Sequence, residues 1–119
     1  MSIAVPTKGN NGWDEKVDLH FGRCKSFTIL NDTGDVIEIF DNTSEHMGGK
    51  GVPPQLLKAH GVDVLLCNEL GPRALGMCSE LGIEVYVGHA DTVKALFDSW
   101  KNGEISKAGA ADICSDHRK

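Results

Sequence analysis

The sequence predicts a single α/β domain, built as a mixed five-stranded sheet with about three helices. Three observations point there. Beyond position 52, amphipathic stretches of helical period alternate with short β-rich runs. Each helical stretch stops at a glycine, Gly61, Gly82 and Gly103. Residues 62–67 are apolar apart from Asp63, as in a parallel strand buried on both faces. A chain of 119 residues supports one core and no more.

The elements follow in order. Residues 3–6 are a short apolar strand. Residues 7–24 are rich in glycine and asparagine, lack a period and read as a loop, of a length that often serves function. Residues 26–31 and 36–41 form a hairpin around Asp32-Thr33-Gly34-Asp35. A second glycine-rich loop covers 42–51. The first helix, 53–60, begins on two prolines, where missing N–H groups cost little. Its face carries Val52, Leu56, Leu57 and His60. The second runs over 72–81 with Leu70, Ala74, Cys78 and Leu81 along one stripe, and 83–87 is the fifth strand. The third helix starts at Asp91 or Thr92, with Val93, Leu96, Phe97 and Trp100 at i, i+3, i+4 and i+7. The domain spans 1–103, and 104–119 reads as a polar, mobile tail.

The expected core is Val5, Phe27, Ile29, Ile37, Ile39, Leu57, Val64, Leu66, Ala74, Cys78, Val85, Val93, Leu96, Phe97 and Trp100. Strand one is expected beside strand four and parallel to it, with strand two antiparallel to strand one. Segments 7–12, 20–24, 42–51, 67–69 and 88–89 then converge on one rim, the carboxyl rim where open α/β sheets bind ligands. That rim holds Lys8, Lys16, Arg23, Lys25 and Lys50, together with Asp14, Glu15, Asp18, Glu45 and Glu69. It also gathers soft or borderline metal donors: His20, Cys24, His46, Met47, Cys67 and His89.

Each feature has two readings. His20 and Cys24 are either metal ligands or a surface imidazole and a small buried thiol. Phe21 reads as an anchor for the loop, and Gly22 supplies backbone freedom. His46-Met47-Gly-Gly-Lys50-Gly51 is either an anion cradle or a plain loop. Cys78 reads as core, and Cys67 as core or rim. Cys114 and His117 belong to the tail unless ligands from elsewhere join them.

Several classes are disfavoured. A net charge of −5 argues against a broadly basic nucleic-acid binder. No apolar run reaches the ~20 residues of a membrane span. No export signal is expected, which assigns the chain to the cytoplasm and its four cysteines to the thiol state. The phosphate loop GxxxxGK[ST], the dinucleotide GxGxxG and the GxSxG elbow are all missing from the sequence.

The segment Val-Asp-Leu-His-Phe-Gly-Arg-Cys-Lys-Ser-Phe at 17–27 resembles the hallmark of the dinitrogenase iron–molybdenum cofactor biosynthesis family, the NifX, NafY and NifB C-terminal domain type. The start Ile-Ala-Val-Pro-Thr, residues 61–74 and residues 82–88 are similar too. The resemblance covers residues 1–103. It implies a ribonuclease-H-like fold without that enzyme's carboxylate site. It also implies a carrier or scaffold for a molybdenum- or iron-containing metal–sulfur cluster, molybdenum–copper clusters included, or for a cluster precursor.

By the same resemblance the His of the HFG motif, here His20, is the cluster ligand. The rest of that motif, Phe21 and Gly22, goes with His20 as cofactor-binding by the same resemblance, and physical chemistry adds Arg23 and Lys50, because a sulfur-rich anion needs cations and N–H groups around it. Cys24 joins His20 as a metal ligand, ahead of His46, Met47, Cys67 and His89. The cluster would be bound transiently and lost in air. Its partners would be cluster-donor or acceptor proteins, with no nucleic acid and no membrane, and no catalytic role is expected. A regulatory module without a cluster, and an enzyme acting on a small anionic substrate, are the competing readings.

Overall fold

The structure, a computed structural model, describes residues 1–19, 21, 24–42 and 53–108. The strands are β1 (Ser2–Thr7), β2 (Ser26–Asn31), β3 (Val36–Asp41), β4 (Val64–Cys67), β5 (Glu84–Val87) and β6 (Ser106–Ala108). The helices are α1 (Pro53–Ala59), α2 (Pro72–Glu80) and α3 (Val93–Lys101), with a 3-10 turn at Gly12–Asp14. The six strands stand in the order β3-β2-β1-β4-β5-β6. β1 is parallel to β4 and antiparallel to β2, as expected from the alternation of elements.

The sheet buries both faces. On one, Ala4, Phe27, Ile29, Leu65, Cys67 and Val85 pack under α1 and α2, which contribute Leu57, Leu75 and Cys78. On the other, Ile3, Val5, Leu30, Val64 and Leu66 pack under Val93, Leu96 and Phe97 of α3. Successive residues of β1 and β4 therefore serve opposite cores, and this is why these strands read as continuous apolar runs. Gly61 and Gly82 stop α1 and α2 as expected, each N–H donating to a carbonyl three residues back, Lys58 O and Ser79 O.

The mixed α/β class and the three helices agree with the sequence, but the strand count does not. β6 pairs antiparallel with β5, Val87 opposite Ser106 and Val85 opposite Ala108. Ser-Lys-Ala is too short and too polar to show a two-residue period, so residues 106–108 look like tail. Residues 109–119, with Cys114 and His117, lie outside the described residues.

Four core assignments need correction as well. Ile37 is 54% exposed. The β2–β3 register jumps from Ile29↔Glu38 to Leu30↔Val36, so Ile37 is the extra residue of a bulge and Val36 takes its place against the core. On α2 the buried positions are Leu75 and Cys78, and Ala74 sits at the margin. Ile39 and Trp100 are half-buried.

Candidate functional site

Register places the rim. Thr7, Ser26 and Asp41 stand level across β1, β2 and β3. Cys67 and Val87 end β4 and β5 side by side, and Gly88 N donates to Cys67 O at 2.9 Å. The carboxyl ends of the three parallel strands thus meet the start of β2 and the end of β3, as the topology requires.

The segment after β1 is more ordered than its composition suggests. Lys16 and Val17 form bridges with Thr92 and Thr7. Val17 N donates to Asp91 O at 2.8 Å, Val93 N to Glu15 O at 3.0 Å and Asp18 N to Pro6 O at 2.9 Å. Residues 15–18 are therefore laced between β1 and the start of α3. The Glu15 carboxylate, only 7% exposed, accepts from Asn11 N at 3.1 Å and Lys16 N at 2.8 Å and so folds the loop around itself. Trp13 meets the ring of Phe97 edge-on at 5.5 Å, seating the 3-10 turn on α3.

The next residues carry the HFG motif. Leu19 is exposed. Phe21 is buried and contacts the Phe27 ring at 5.7 Å, the anchoring role its chemistry suggested. Cys24 is also buried. Asn42, at the end of β3, donates through Nδ2 to Cys24 O at 2.9 Å and lies 3.7 Å from its Sγ, while Asn42 N donates to Lys25 O. His20, Gly22, Arg23, His46, Met47 and Lys50 lie outside the described residues.

The thiols are set as packing groups. Burial, reinforced by the Asp18 charge, pushes Cys24 up to about 12 despite the Asn42 hydrogen bond. Burial and the neighbouring Cys78 push Cys67 up to about 12, and burial alone pushes Cys78 up to about 11. Such thiols stay protonated at neutral pH, whereas the thiolate is the metal ligand. Cys67 has no exposure, and its Sγ approaches Tyr86 O at 4.0 Å. Cys24, which the sequence placed beside His20 as a ligand, is enclosed between the Asn42 side chain and the core.

His89 is exposed at the carboxyl end of β5. Lys8, Lys16, Lys25 and Glu69 are exposed on the same rim, as is Arg73 in the first turn of α2, which follows β4. Among the described residues, no three of His, Cys, Asp and Glu are grouped to hold a metal ion.

The sequence reading missed two residues, Asn42 and Asn68. Asn68 is 8% exposed and pairs with the main chain of Ala90, Nδ2 donating to its O at 2.7 Å and Oδ1 accepting from its N at 3.1 Å. A signal was present: each asparagine directly follows a strand at the carboxyl rim, where its side chain can bind neighbouring backbone.

A family described as "Dinitrogenase iron-molybdenum cofactor" matches residues 1–103. An uncharacterized protein of Methanocaldococcus jannaschii, MJ0580, is 30% identical over 112 residues, covering 90% of this chain and 91% of that one. The apo form of the orange protein from Desulfovibrio gigas superposes with a TM-score of 0.79 at 29% identity, covering 90% of this chain and 92% of that one. A putative NifB protein from Thermotoga shares the fold, with a TM-score of 0.72 at 22% identity and coverage of 89% and 91%. The chain belongs to the dinitrogenase iron–molybdenum cofactor family.

Proposed function

We propose that this chain carries a molybdenum- and/or iron-containing metal–sulfur cluster, or its precursor, on the carboxyl rim of its sheet, and that it performs no catalysis of its own. One observation carries the reading. The buried polar side chains among the described residues, Thr7, Glu15, Ser26, Thr28, Asn42 and Asn68, all lie at or just beneath that rim. Burying polar groups costs stability even when each finds a partner, and exceptions to an apolar interior gather at functional sites. Here most of them hold the backbone of the segments to which this reading assigns the cargo.

The chemistry of the rim suits such a cargo. A thiometallate or iron–molybdenum cluster is a bulky, sulfur-rich anion. A carrier that must release it needs few exchangeable donors and a cationic surround. Imidazole meets the first need. His20 is the donor in this reading, and Lys8, Lys16, Lys25 and Arg73, with Arg23 and Lys50, meet the second. Molybdenum–copper–sulfur clusters fall in the same cargo class. A cluster-donor or acceptor protein is the implied partner.

The test is anaerobic titration with tetrathiomolybdate, alone and with copper(I), followed by absorption and elemental analysis. Uptake that weakens as salt rises, and that falls in a folded His20→Ala variant, supports the proposal. A wild-type chain that takes up neither the thiomolybdate nor its copper adduct would sink it in favour of a regulatory module.

A further inference from the structure

Three lysines stand level across the carboxyl rim. Thr7 pairs with Val17 in an antiparallel bridge, flanked by Lys8 N donating to Lys16 O at 3.1 Å and Asp18 N donating to Pro6 O at 2.9 Å. One step beyond that bridge, Lys8 is directly opposite Lys16. On the other side of β1 the register sets Thr7 against Ser26, and one step on it sets Lys8 against Lys25. Asn42 N donates to Lys25 O at 2.9 Å and fixes the outer end of the row. The order is therefore Lys25, Lys8, Lys16, with neighbouring backbones about 4.8 Å apart, the usual strand spacing.

Alternation sends the three side chains the same way. Thr7, Val17 and Ser26 are buried, and the Thr7 and Ser26 hydroxyls meet at 2.8 Å on one face. Lys8, Lys16 and Lys25 follow or precede them by one residue, are all exposed, and so share the other face. Among the described residues none of the three forms an ion pair. The Glu15 carboxylate is turned onto the N–H groups of Asn11 and Lys16, the Asp18 charge acts on Cys24, and Asp41, level with Ser26, belongs to the Thr7 row. Like charges directly opposite one another on paired strands are destabilising. In a chain of net charge −5, three cations set side by side serve no structural end, and a multiply charged anion relieves their repulsion.

We infer that Lys25, Lys8 and Lys16 form a site for a tetrahedral anion of two or more charges, an oxo- or thiometallate, with Lys8 at its centre. The inference rests on the carrier reading and deepens it: the row takes the anionic sulfide or oxide side of the cargo. Selection is by charge, since an anion must face at least two of the three ammonium groups at once to offset their repulsion. A singly charged anion of the same shape gains much less.

The probes are tetrathiomolybdate and molybdate, both dianions, and perchlorate, which is tetrahedral with one charge, each added anaerobically at the same low ionic strength. Affinity is read by calorimetric titration, and the unfolding midpoint reports stabilisation by the bound anion. Both dianions should raise the wild-type midpoint where perchlorate does not. Lys8→Gln should weaken tetrathiomolybdate binding about tenfold, as loss of a charged hydrogen-bond donor does. Lys16→Gln and Lys25→Gln, at the ends of the row, should weaken it less. Lys58→Gln makes the same charge change on α1, beside Gly82 at the opposite rim, and should leave it unchanged. Without anion and at low salt, Lys8→Gln should be at least as stable as the wild type, because it removes a repulsion.

A wild-type chain that binds tetrathiomolybdate, with Lys8→Gln binding equally or Lys58→Gln losing as much, overturns the site and leaves the carrier reading standing. A midpoint raised equally by perchlorate overturns selection by charge. A midpoint raised by the dianions in a chain that takes up no copper–thiomolybdate supports the site and sinks the carrier reading. An anion-free Lys8→Gln variant less stable than the wild type shows the row to be structural and overturns the inference.

Discussion

Where β2 passes to β3, α1 to β4 and α2 to β5, the chain reverses within a few residues. Main-chain bonds close each turn: Gly34 N to Asn31 O, Gly61 N to Lys58 O, Gly82 N to Ser79 O. At the opposite rim the connection from β1 to β2 is long, those after β4 and β5 are short, and buried side chains organise the backbone. Glu15 gathers Asn11 and Lys16. Asn42 holds Cys24, and Asn68 holds Ala90. Ser26 reaches Gly9 O, and Thr7 joins the hydroxyls of Ser26 and Thr28. One rim meets its backbone needs by the shortest means. The other spends buried polarity to hold irregular chain in place, and irregular chain held in place is what a binding rim requires.

The contrast can be broken from its core outward. The largest effect should come from alkali. Cys24, Cys67 and Cys78 are all raised above their ordinary value of 9.0, chiefly by burial. For a raised acid the folded state holds the proton more tightly than the unfolded state. The stabilisation is therefore complete below about pH 9, the unfolded value, and is lost as pH climbs towards the folded values of about 11 to 12. Denaturant titrations from pH 7 to 11 should show stability falling steeply above pH 9, and a flat profile would mean the thiols are not buried as described. Next comes Phe97→Ala, which removes a ring only 4% exposed and packed against Trp13 and Trp100. Its cost should be about 3–5 kcal/mol in unfolding free energy, with thiomolybdate affinity untouched.

Asn42→Ala separates the rims directly. It leaves Cys24 O without its donor in a buried setting, for about 1–3 kcal/mol. Because that carbonyl ends the HFG segment, cargo binding should fall as well. Gly82→Ala is the counterpart at the other rim. Gly82 has φ +79°, and only the Lys58 Nζ, at 4.0 Å, lies near where the new methyl would stand, so the cost is backbone strain alone, about 1–2 kcal/mol. Binding should not change. Equal effects of the two substitutions on binding would erase the distinction between the rims.

How much of this was legible in the sequence follows the same divide. Periodicity and stop signals reveal five strands, three helices and their adjacency, because core burial writes itself into spacing. Val93, Leu96 and Phe97 are buried as their spacing requires. Signals fail where burial is decided by backbone. A bulge turns Ile37 outward, and β6 is three residues long. At the rim, topology is enough to gather His89, Lys8, Lys16 and Lys25, but the grip of Asn68 on a turn 22 residues away leaves no local pattern. Nor does composition show that Cys67, at a strand end, would have no exposure: its side chain faces α2 because β4 alternates between two cores.

The smallest effect belongs to Thr92, which tests whether position at the carboxyl rim is enough to matter. Its side chain caps α3, Oγ1 accepting from Ala95 N at 3.2 Å. Its main chain bridges Lys16, within the strip that ties the HFG segment to the His89 turn. Thr92→Ala removes the cap and leaves the bridge, because backbone pairing does not depend on the hydroxyl. Loss of an N-cap typically costs about 1 kcal/mol, so the unfolding midpoint should drop measurably. Thiomolybdate affinity should stay near that of the wild type, since residues 15–17 and 91–93 remain paired. Thr92→Ser, which keeps the acceptor, should recover most of the stability. If Thr92→Ala instead weakened binding as much as Asn42→Ala, the rim would be responding to general loosening of α3, and the division between side chains that hold the site and side chains that hold the fold would be lost.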